Sequence, residues 1–272
     1  TTLNEASIQL KDINQIAVTI GPGLEGCLLV GIAVAKTLAT VLSIPLIPVN
    51  HIHGHIFAYT RYKSQLTYPT MALIISGGHT DLILMPQPNT FQRVGRTRDD
   101  AVGEAFDKVA RQLGLGYPGG PEIEKQALLG NPKAFKLPIA MKHTPFEFSF
   151  SGLKTAMIDC IAKLDSPSDH IADLCASFQH TVIETICFKT LEACQLKQVN
   201  QLIVGGGVAA NKTLMTQLKK RCELASIDLI QIEPKFCTDN AVMIGLAATH
   251  LGNIYNLEAQ NIVAKPNFSY AV

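Results

Sequence analysis

The chain lacks any surplus of charge. Its 272 residues carry 23 lysines and arginines against 22 aspartates and glutamates, a net of +1. No global basic field marks it for nucleic acid, although whole-chain charge hides local patches. Cysteine is present without pattern: Cys27, Cys160, Cys175, Cys187, Cys194, Cys222 and Cys237 make an odd number with no C-x-x-C. That argues against a thiolate zinc or iron–sulfur site and fits a reduced cytoplasmic protein with mostly buried thiols. Long hydrophobic runs are missing. Stretches such as Met71 to Ile75 are far too short to cross a bilayer, and no signal peptide is visible, so no membrane association is expected. The Walker A pattern G-x-x-x-x-G-K-[ST] is absent, which excludes a P-loop. H-E-x-x-H is absent too, because Ile52 follows His51, and a zincin therefore lacks its general base.

What is present suits a globular α/β protein. Hydrophobic residues make up 47% and charged residues 17%, enough for a core and far from a disordered composition. Strand and helix patterns alternate with glycine turns. The first strand runs from Ile13 to Ile20 and breaks at Gly21-Pro22-Gly23. Leu28 to Leu42 is apolar almost all round, the pattern of a buried helix. Ile44 to Val49 is a short strand. Thr70 to Ser76 and Thr80 to Met85 form a hairpin about Gly77-Gly78. Asp99 or Asp100 is expected to open a helix reaching about Leu113, and Pro121 to start another. A long helix follows from Ser168 to Gln195, then a strand from Gln201 to Val204 and a helix from about Ala209. Asp228 to Ile232 is the last strand, and Asp239 begins the last helix.

Three of the eight histidines fall within five residues, His51-Ile52-His53-Gly54-His55. Asn50 can cap a helix, and Ile52, Ile56, Phe57 and Tyr59 have roughly helical spacing. On that helix His51 and His55 are i and i+4 and share a face, while His53 points elsewhere. Two imidazoles suit zinc or iron but need a third ligand. Taken alone, such a pair serves as often at an interface or a cap as at a metal.

Glycine loops follow several elements: Ser76-Gly77-Gly78-His79-Thr80, Gly114 to Gly120, and Gly205-Gly206-Gly207. Glycine lets backbone N–H groups reach phosphate. One such loop is an ordinary turn; three in an α/β chain point to a nucleotide cleft. Asp107, Glu124 and Asp239 lie beside these loops or at helix starts. Asp239 could equally cap the last helix, and Asp107 could pair with Arg111.

Together these segments resemble one family. They are Gly21-Pro22-Gly23-Leu24, His51-x-x-x-His55, Ser76-Gly77-Gly78-His79-Thr80, and Asp100-x-x-Gly103-Glu104-Ala105-Phe106-Asp107-Lys108. Tyr117-Pro118-Gly119-Gly120-Pro121, Phe148-Ser149-Phe150-Ser151-Gly152-Leu153-Lys154-Thr155, Gly206-Gly207-Val208-Ala209-Ala210-Asn211 and Cys237-Thr238-Asp239-Asn240 follow, in order over nearly the whole chain. The chain is similar to the tRNA N6-adenosine threonylcarbamoyltransferases, once described as O-sialoglycoprotein endopeptidases. Ile74 stands where archaeal and eukaryotic relatives carry Tyr, so the resemblance is to the bacterial or organellar branch.

The resemblance implies an actin-like ATPase fold, α/β, with two lobes around a nucleotide cleft: residues 1–70 and 240–272 in one lobe, 71–239 in the other. It implies transfer of threonylcarbamoyl from threonylcarbamoyl-AMP to N6 of adenosine 37 in tRNAs reading ANN codons. His51, His55 and Asp239 would hold one divalent metal, iron or zinc, and His53 would take no part. Ile74, Ile75, Ser76, Gly77 and Gly78 would line the substrate. Asp107, Gly120, Glu124 and Asn211 would surround the nucleotide, with Asp107 the candidate catalytic group and ATP or ADP also able to occupy the cleft. Implied partners are tRNA, a paralogous actin-like subunit and a small ATPase, or a second copy in a homodimer, in the cytoplasm or in mitochondria. Lys133, Lys136, Lys142, His143 and Lys154 form one candidate tRNA-binding segment, and Arg93, Arg96 and Arg98 another, although Asp99 and Asp100 follow at once and each segment alone reads more readily as a solvated loop. The family's opening strand and loop Gly-Ile-Glu-Thr-Ser-Cys-Asp-Glu-Thr have no match here, so the expectation is a chain starting inside such a protein, with one lobe incomplete and its activity in question. Competing readings are a metallopeptidase, a kinase or ATPase of the same superfamily, and an inactive scaffold.

Overall fold

The computed structural model describes residues 2–251 and 261–269. In chain order the elements are α1 (Thr2–Glu5), β1 (Ile16–Gly21), α2 (Glu25–Leu42), β2 (Leu46–Asn50), α3 (His51–Phe57), β3 (Thr70–Ile75), β4 (Thr80–Met85), β5 (Gln92–Arg96) and α4 (Val102–Gln112). Then come α5 (Gly119–Ala127), α6 (Ser151–Ala162), α7 (Ile171–Leu196), β6 (Gln201–Gly205), α8 (Lys212–Leu224), β7 (Asp228–Gln231), α9 (Pro234–Cys237) and α10 (Ala241–Leu251). The chain divides into two compact units, Thr1–Thr60 with Asn240–Val272, and Arg61–Asp239.

In the smaller unit β1 and β2 pair in parallel, Ile16 opposite Leu46, with α2 as the crossover. Leu28, Ile32, Ala35 and Ala39 recur at three- and four-residue spacing and form one stripe, buried with Ile20, Leu46 and Ile262. The rest of α2 corrects the expectation of a buried helix. Val30 is 67% exposed, Val34 56% and Val41 75%. The helix is apolar on both faces, but the unit supplies a layer for only one. By length and composition α2 also passes for a membrane span, with mean hydropathy 1.7 over 18 residues, although its buried stripe packs on the sheet. At the end of β1, Gly21 has φ 153°, and a Cβ there would lie 1.9 Å from the Lys265 carbonyl oxygen. Only glycine lets the segment after Ile262 run this close, where the Lys265 N–H donates to the Ile20 carbonyl at 2.7 Å.

The larger unit is built on a five-stranded sheet in the order β5-β4-β3-β6-β7. β3 and β4 form the expected antiparallel hairpin, and β6 and β7 add in parallel. Every residue of β3, β4 and β6 is buried, which explains their apolar runs at 71–75, 82–85 and 202–204. The division between units falls at 60/61 and not at 70/71. Side chains from the intervening segment bind inside the larger unit: Lys63 to Asp228 at 2.5 Å and Arg61 over the Phe236 ring at 4.4 Å. The Thr67 N–H also donates to Gln201 Oε1 at 2.9 Å.

Several helix starts differ from expectation: α2 begins at Glu25 and not Leu28, α7 at Ile171 and not Ser168, α8 at Lys212 and not about Ala209, and three more differ as well. Neither Asp99 nor Asp100 opens α4, which begins at Val102 after Ala101. Asp99 instead accepts from the N–H groups of Phe150 and Ser151 and from the hydroxyls of Ser149 and Ser151, capping α6 from a distant part of the chain. Burial alone would raise the Asp99 carboxyl, but these hydrogen bonds outweigh it and hold its pKa below the ordinary value. α5 starts at Gly119, two residues before Pro121. α10 starts at Ala241, where Asn240 Oδ1 accepts from the Met243 N–H at 2.9 Å, a capping bond expected of Asp239.

Candidate functional site

The three glycine loops converge on one cavity of about 340 Å³ inside the larger unit. Gly77 after β3, Gly120 at the start of α5 and Gly207 after β6 all line it, with Asp107, Glu124 and Asn211. That volume lies at the lower end of the range for small-molecule sites. The rest of the wall is mostly apolar, with Phe106, Pro118 and Val208 among its residues.

Close packing builds the site. Ser76 Oγ accepts from the Gly78 and His79 N–H groups at 3.3 and 3.1 Å, folding the first loop on itself. The start of α4 presses on that turn: a Cβ on Gly103 would sit 2.7 Å from the Ser76 carbonyl oxygen. Gly206 has φ 91°, and a Cβ there would come within 2.3 Å of the Ile75 carbonyl oxygen, so the third loop needs glycine on both counts. Gly119 is the tightest point of the second loop, where a Cβ would lie 2.6 Å from that of Ala110. By contrast, a Cβ on Gly77 or Gly120 meets nothing within 4 Å. Those two positions are bare toward open space.

The polar residues are held by specific bonds. Asp107 Oδ1 accepts from the Gly119 N–H at 2.7 Å. Glu124 Oε1 accepts from the Thr213 N–H at 3.1 Å, at the start of α8. Asn211 caps the same helix, its Oδ1 accepting from the Leu214 N–H at 2.8 Å while its Nδ2 donates to Gln179 Oε1 at 2.9 Å. Asp107 is not paired with Arg111.

Other expected residues stand elsewhere. Ile74 and Ile75 are fully buried in β3, at 0% exposure, and do not line the cavity. Ser76 and Gly78 belong to the turn whose middle residue, Gly77, reaches it. Sequence reasoning missed Tyr117, an aromatic 86% exposed on the cavity wall, and Thr238. Tyr117 lies inside the motif Tyr117-Pro118-Gly119-Gly120-Pro121, and its exposure is not legible in the sequence. Gly114, Gly116 and Gly119 are also spaced as G-x-G-x-x-G, but they follow the helix α4, so they are not a dinucleotide-binding turn after a strand.

The histidines lie in the smaller unit. Asn50 Oδ1 accepts from the Ile52 N–H at 2.9 Å and starts α3. His51 and His55 share a face, with ring centroids 4.8 Å apart and edge to face. His51 is half-buried and His55 buried. His53 is buried at 1% exposure on another side of the helix. Gly54 lets α10 approach, since a Cβ there would lie 2.8 Å from Ile244 Cδ1. Two adjacent imidazoles on a helix locked by packing suit a divalent transition metal in donor type and spacing. Asp239 is exposed and ends the larger unit, bonded directly to Asn240.

Part of the expected basic surface is already neutralised. Arg98 pairs with Glu147, and Lys154 lies 3.5 Å from Asp100, which also binds Lys108 at 2.7 Å.

Solved structures of similar fold include HypF of T. kodakarensis, with a TM-score of 0.65 at 15% identity over 91% of this chain and 41% of that one. A full-length HypF in a phosphate- and nucleotide-bound form gives 0.63 at 13% identity over 93% and 40%. The chain thus spans about two fifths of those proteins, and the likeness is one of fold: α/β, of the actin-like ATPase kind. Sequence comparison is closer. A tRNA N6-adenosine threonylcarbamoyltransferase of Staphylococcus saprophyticus is 48% identical over 251 residues, 92% of this chain and 73% of that protein. One of Clostridium kluyveri is 47% identical over 270 residues, 97% and 79% respectively. Residues 1–246 match the family described as TsaD, tRNA N6-adenosine threonylcarbamoyltransferase. The chain belongs to the tRNA N6-adenosine threonylcarbamoyltransferase family.

Proposed function

We propose that this protein transfers a threonylcarbamoyl group from threonylcarbamoyl-AMP to N6 of adenosine 37 in tRNAs reading ANN codons. The observation that carries the reading is the convergence of Gly77, Gly120 and Gly207 with Asp107, Glu124 and Asn211 on one cavity. In the reaction the N6 amine attacks the carbamoyl carbon, the bond from that carbon to the phosphate oxygen breaks, AMP leaves, and N6 loses a proton. Backbone N–H groups of the glycine loops hold the adenylate phosphate and oppose its growing charge. Asp107 is the catalytic residue: Gly119 fixes one carboxylate oxygen, and the other serves as acceptor for the amine or the nucleotide ribose. The apolar walls exclude water that would hydrolyse the donor.

His51, His55 and Asp239 are the proposed ligands of an iron or zinc ion, which when bound supplies Lewis-acid stabilisation of developing negative charge. The imidazole pair on α3 supports this assignment. The exposed apolar face of α2 is the proposed contact for a paralogous actin-like subunit or a second copy, and a small ATPase completes the set. The reaction takes place where tRNA is found, in the cytoplasm or in a mitochondrion.

The test is a variant that fills the cavity. Gly120→Val places a branched side chain where a Cβ meets nothing within 4 Å, and circular dichroism and melting temperature check that the variant is folded. It is expected to abolish AMP binding in calorimetry and threonylcarbamoyl transfer together. Full transfer by a well-folded Gly120→Val protein would remove the cavity from the reaction.

A further inference from the structure

We infer that the exposed face of α8 is the track on which the phosphate backbone of tRNA lies as its adenosine enters the cavity. The inference rests on the proposed tRNA reading and adds the surface. Lys212, Lys219 and Lys220 line a groove of about 630 Å³ with Glu223 and Gln231. At seven- and eight-residue spacings the three lysines fall on one face of the helix, spread over about 12 Å at the rise of about 1.5 Å per residue. All three are exposed, and among the described residues none forms an ion pair. Arg221, also on α8, is taken up by Glu184.

Two relationships identify the occupant. The groove begins beside the cavity in the chain: Asn211, which caps α8, lines the cavity, and Lys212, the next residue, lines the groove. A strand bound along α8 therefore has one end at the place where the acceptor base reacts. The charge pattern fits a repeating anion better than a single one. Three ammonium groups in a row meet successive phosphates, whereas a free phosphate or mononucleotide needs one. A strand in a groove also suits a concave surface, while an anionic membrane needs a convex or flat one. The sequence placed the basic surface elsewhere, on segments whose Arg98 and Lys154 turn out to be paired with acids.

The test measures tRNA binding directly, by filter retention across a salt series, for the wild type and for K212Q/K219Q/K220Q. AMP binding by the variant, unchanged from wild type, serves as the control for folding. Each lysine on a phosphate contributes about 0.7 to 0.9 to the slope of log affinity against log salt, so the triple variant's slope should become shallower by roughly two to three. Affinity at low salt should fall roughly tenfold or more. An unchanged slope with intact AMP binding overturns the inference. So does loss of binding to phosphatidylserine vesicles with the tRNA slope unchanged, which would assign the groove to a membrane. Failure of the functional reading looks different: tRNA binding with the predicted slope change but no transfer leaves the track standing and removes the activity. Transfer with an unchanged slope does the reverse.

Discussion

Asp107 accepts a 2.7 Å hydrogen bond from the Gly119 N–H, and that bond joins α4 to the start of α5 at the wall of the cavity. One carboxylate oxygen thus has a structural task, which separates two substitutions. Asp107→Asn retains an oxygen for Gly119 and should melt within a degree or two of wild type, yet lose transfer by about a hundredfold or more, the scale of a lost acid–base group. Asp107→Ala leaves the Gly119 N–H without its partner, which costs about 1–3 kcal/mol and several degrees of melting temperature. Thermal unfolding alongside transfer assays checks both. Equal melting loss in the two variants would make Asp107 a structural residue only.

The buried thiols should be silent. Burial pushes Cys175, Cys187 and Cys194 up to about 12, and Cys222 and Cys237 up to about 11. At pH 8 almost none of these is thiolate, the reactive form. Alkylation followed by peptide mass mapping should find exposed Cys27 modified first and half-buried Cys160 more slowly. The other five should react only on unfolding, and rapid labelling of any of them would contradict the packing described.

Lys189 gives a pH test. It is fully buried in α7 and donates to the Met141 and Thr144 carbonyls at 2.5 Å each. Burial lowers its pKa, and that outweighs the opposing influence of Glu192 and Glu147. The folded state therefore binds the proton less tightly than the unfolded chain. Stability should rise as pH increases from the lowered folded value toward the ordinary value of about 10.5. Lys189→Met should remove that rise, read from denaturant midpoints across alkaline pH. A slope that persists in Lys189→Met would assign it to another group.

The exposed face of α2 predicts association. Val30→Glu and Val34→Glu fall on positions 67% and 56% exposed, so each should change stability by no more than about 0.5 kcal/mol. Sedimentation with the paralogous subunit, or of the chain alone, should show weaker association in both. Unchanged association would free this face from the proposed role.

The histidine pair predicts metal content. His51→Ala and His55→Ala should each take bound iron or zinc from one ion per chain to nearly none by elemental analysis, with the circular dichroism of the wild type. Retained metal and full transfer in both variants would move the site elsewhere.

The sequence made some of this legible and hid the rest for physical reasons. The glycine loops could be found because close approach and positive φ exclude other residues, as at Gly119 and Gly206. His51 and His55 could be placed on one face because helical spacing is local. Asp99 misled because its partners at Phe150 and Ser151 are distant in sequence, and tertiary capping leaves no local trace. The apolar pattern of α2 reports which residues avoid water but not how many layers are there to cover them. Lys154 and Arg98 stand in candidate basic segments, and folding brings them Asp100 and Glu147, the first from 54 residues away in the chain.

The most direct test of the central claim is nucleoside mass spectrometry of tRNA incubated with the protein, its partner proteins, threonine, bicarbonate and ATP. The account predicts a threonylcarbamoyl group on N6 of adenosine 37, absent with Gly120→Val. Unmodified adenosine 37 in a reaction where threonylcarbamoyl-AMP has formed and the wild-type protein is folded would contradict it.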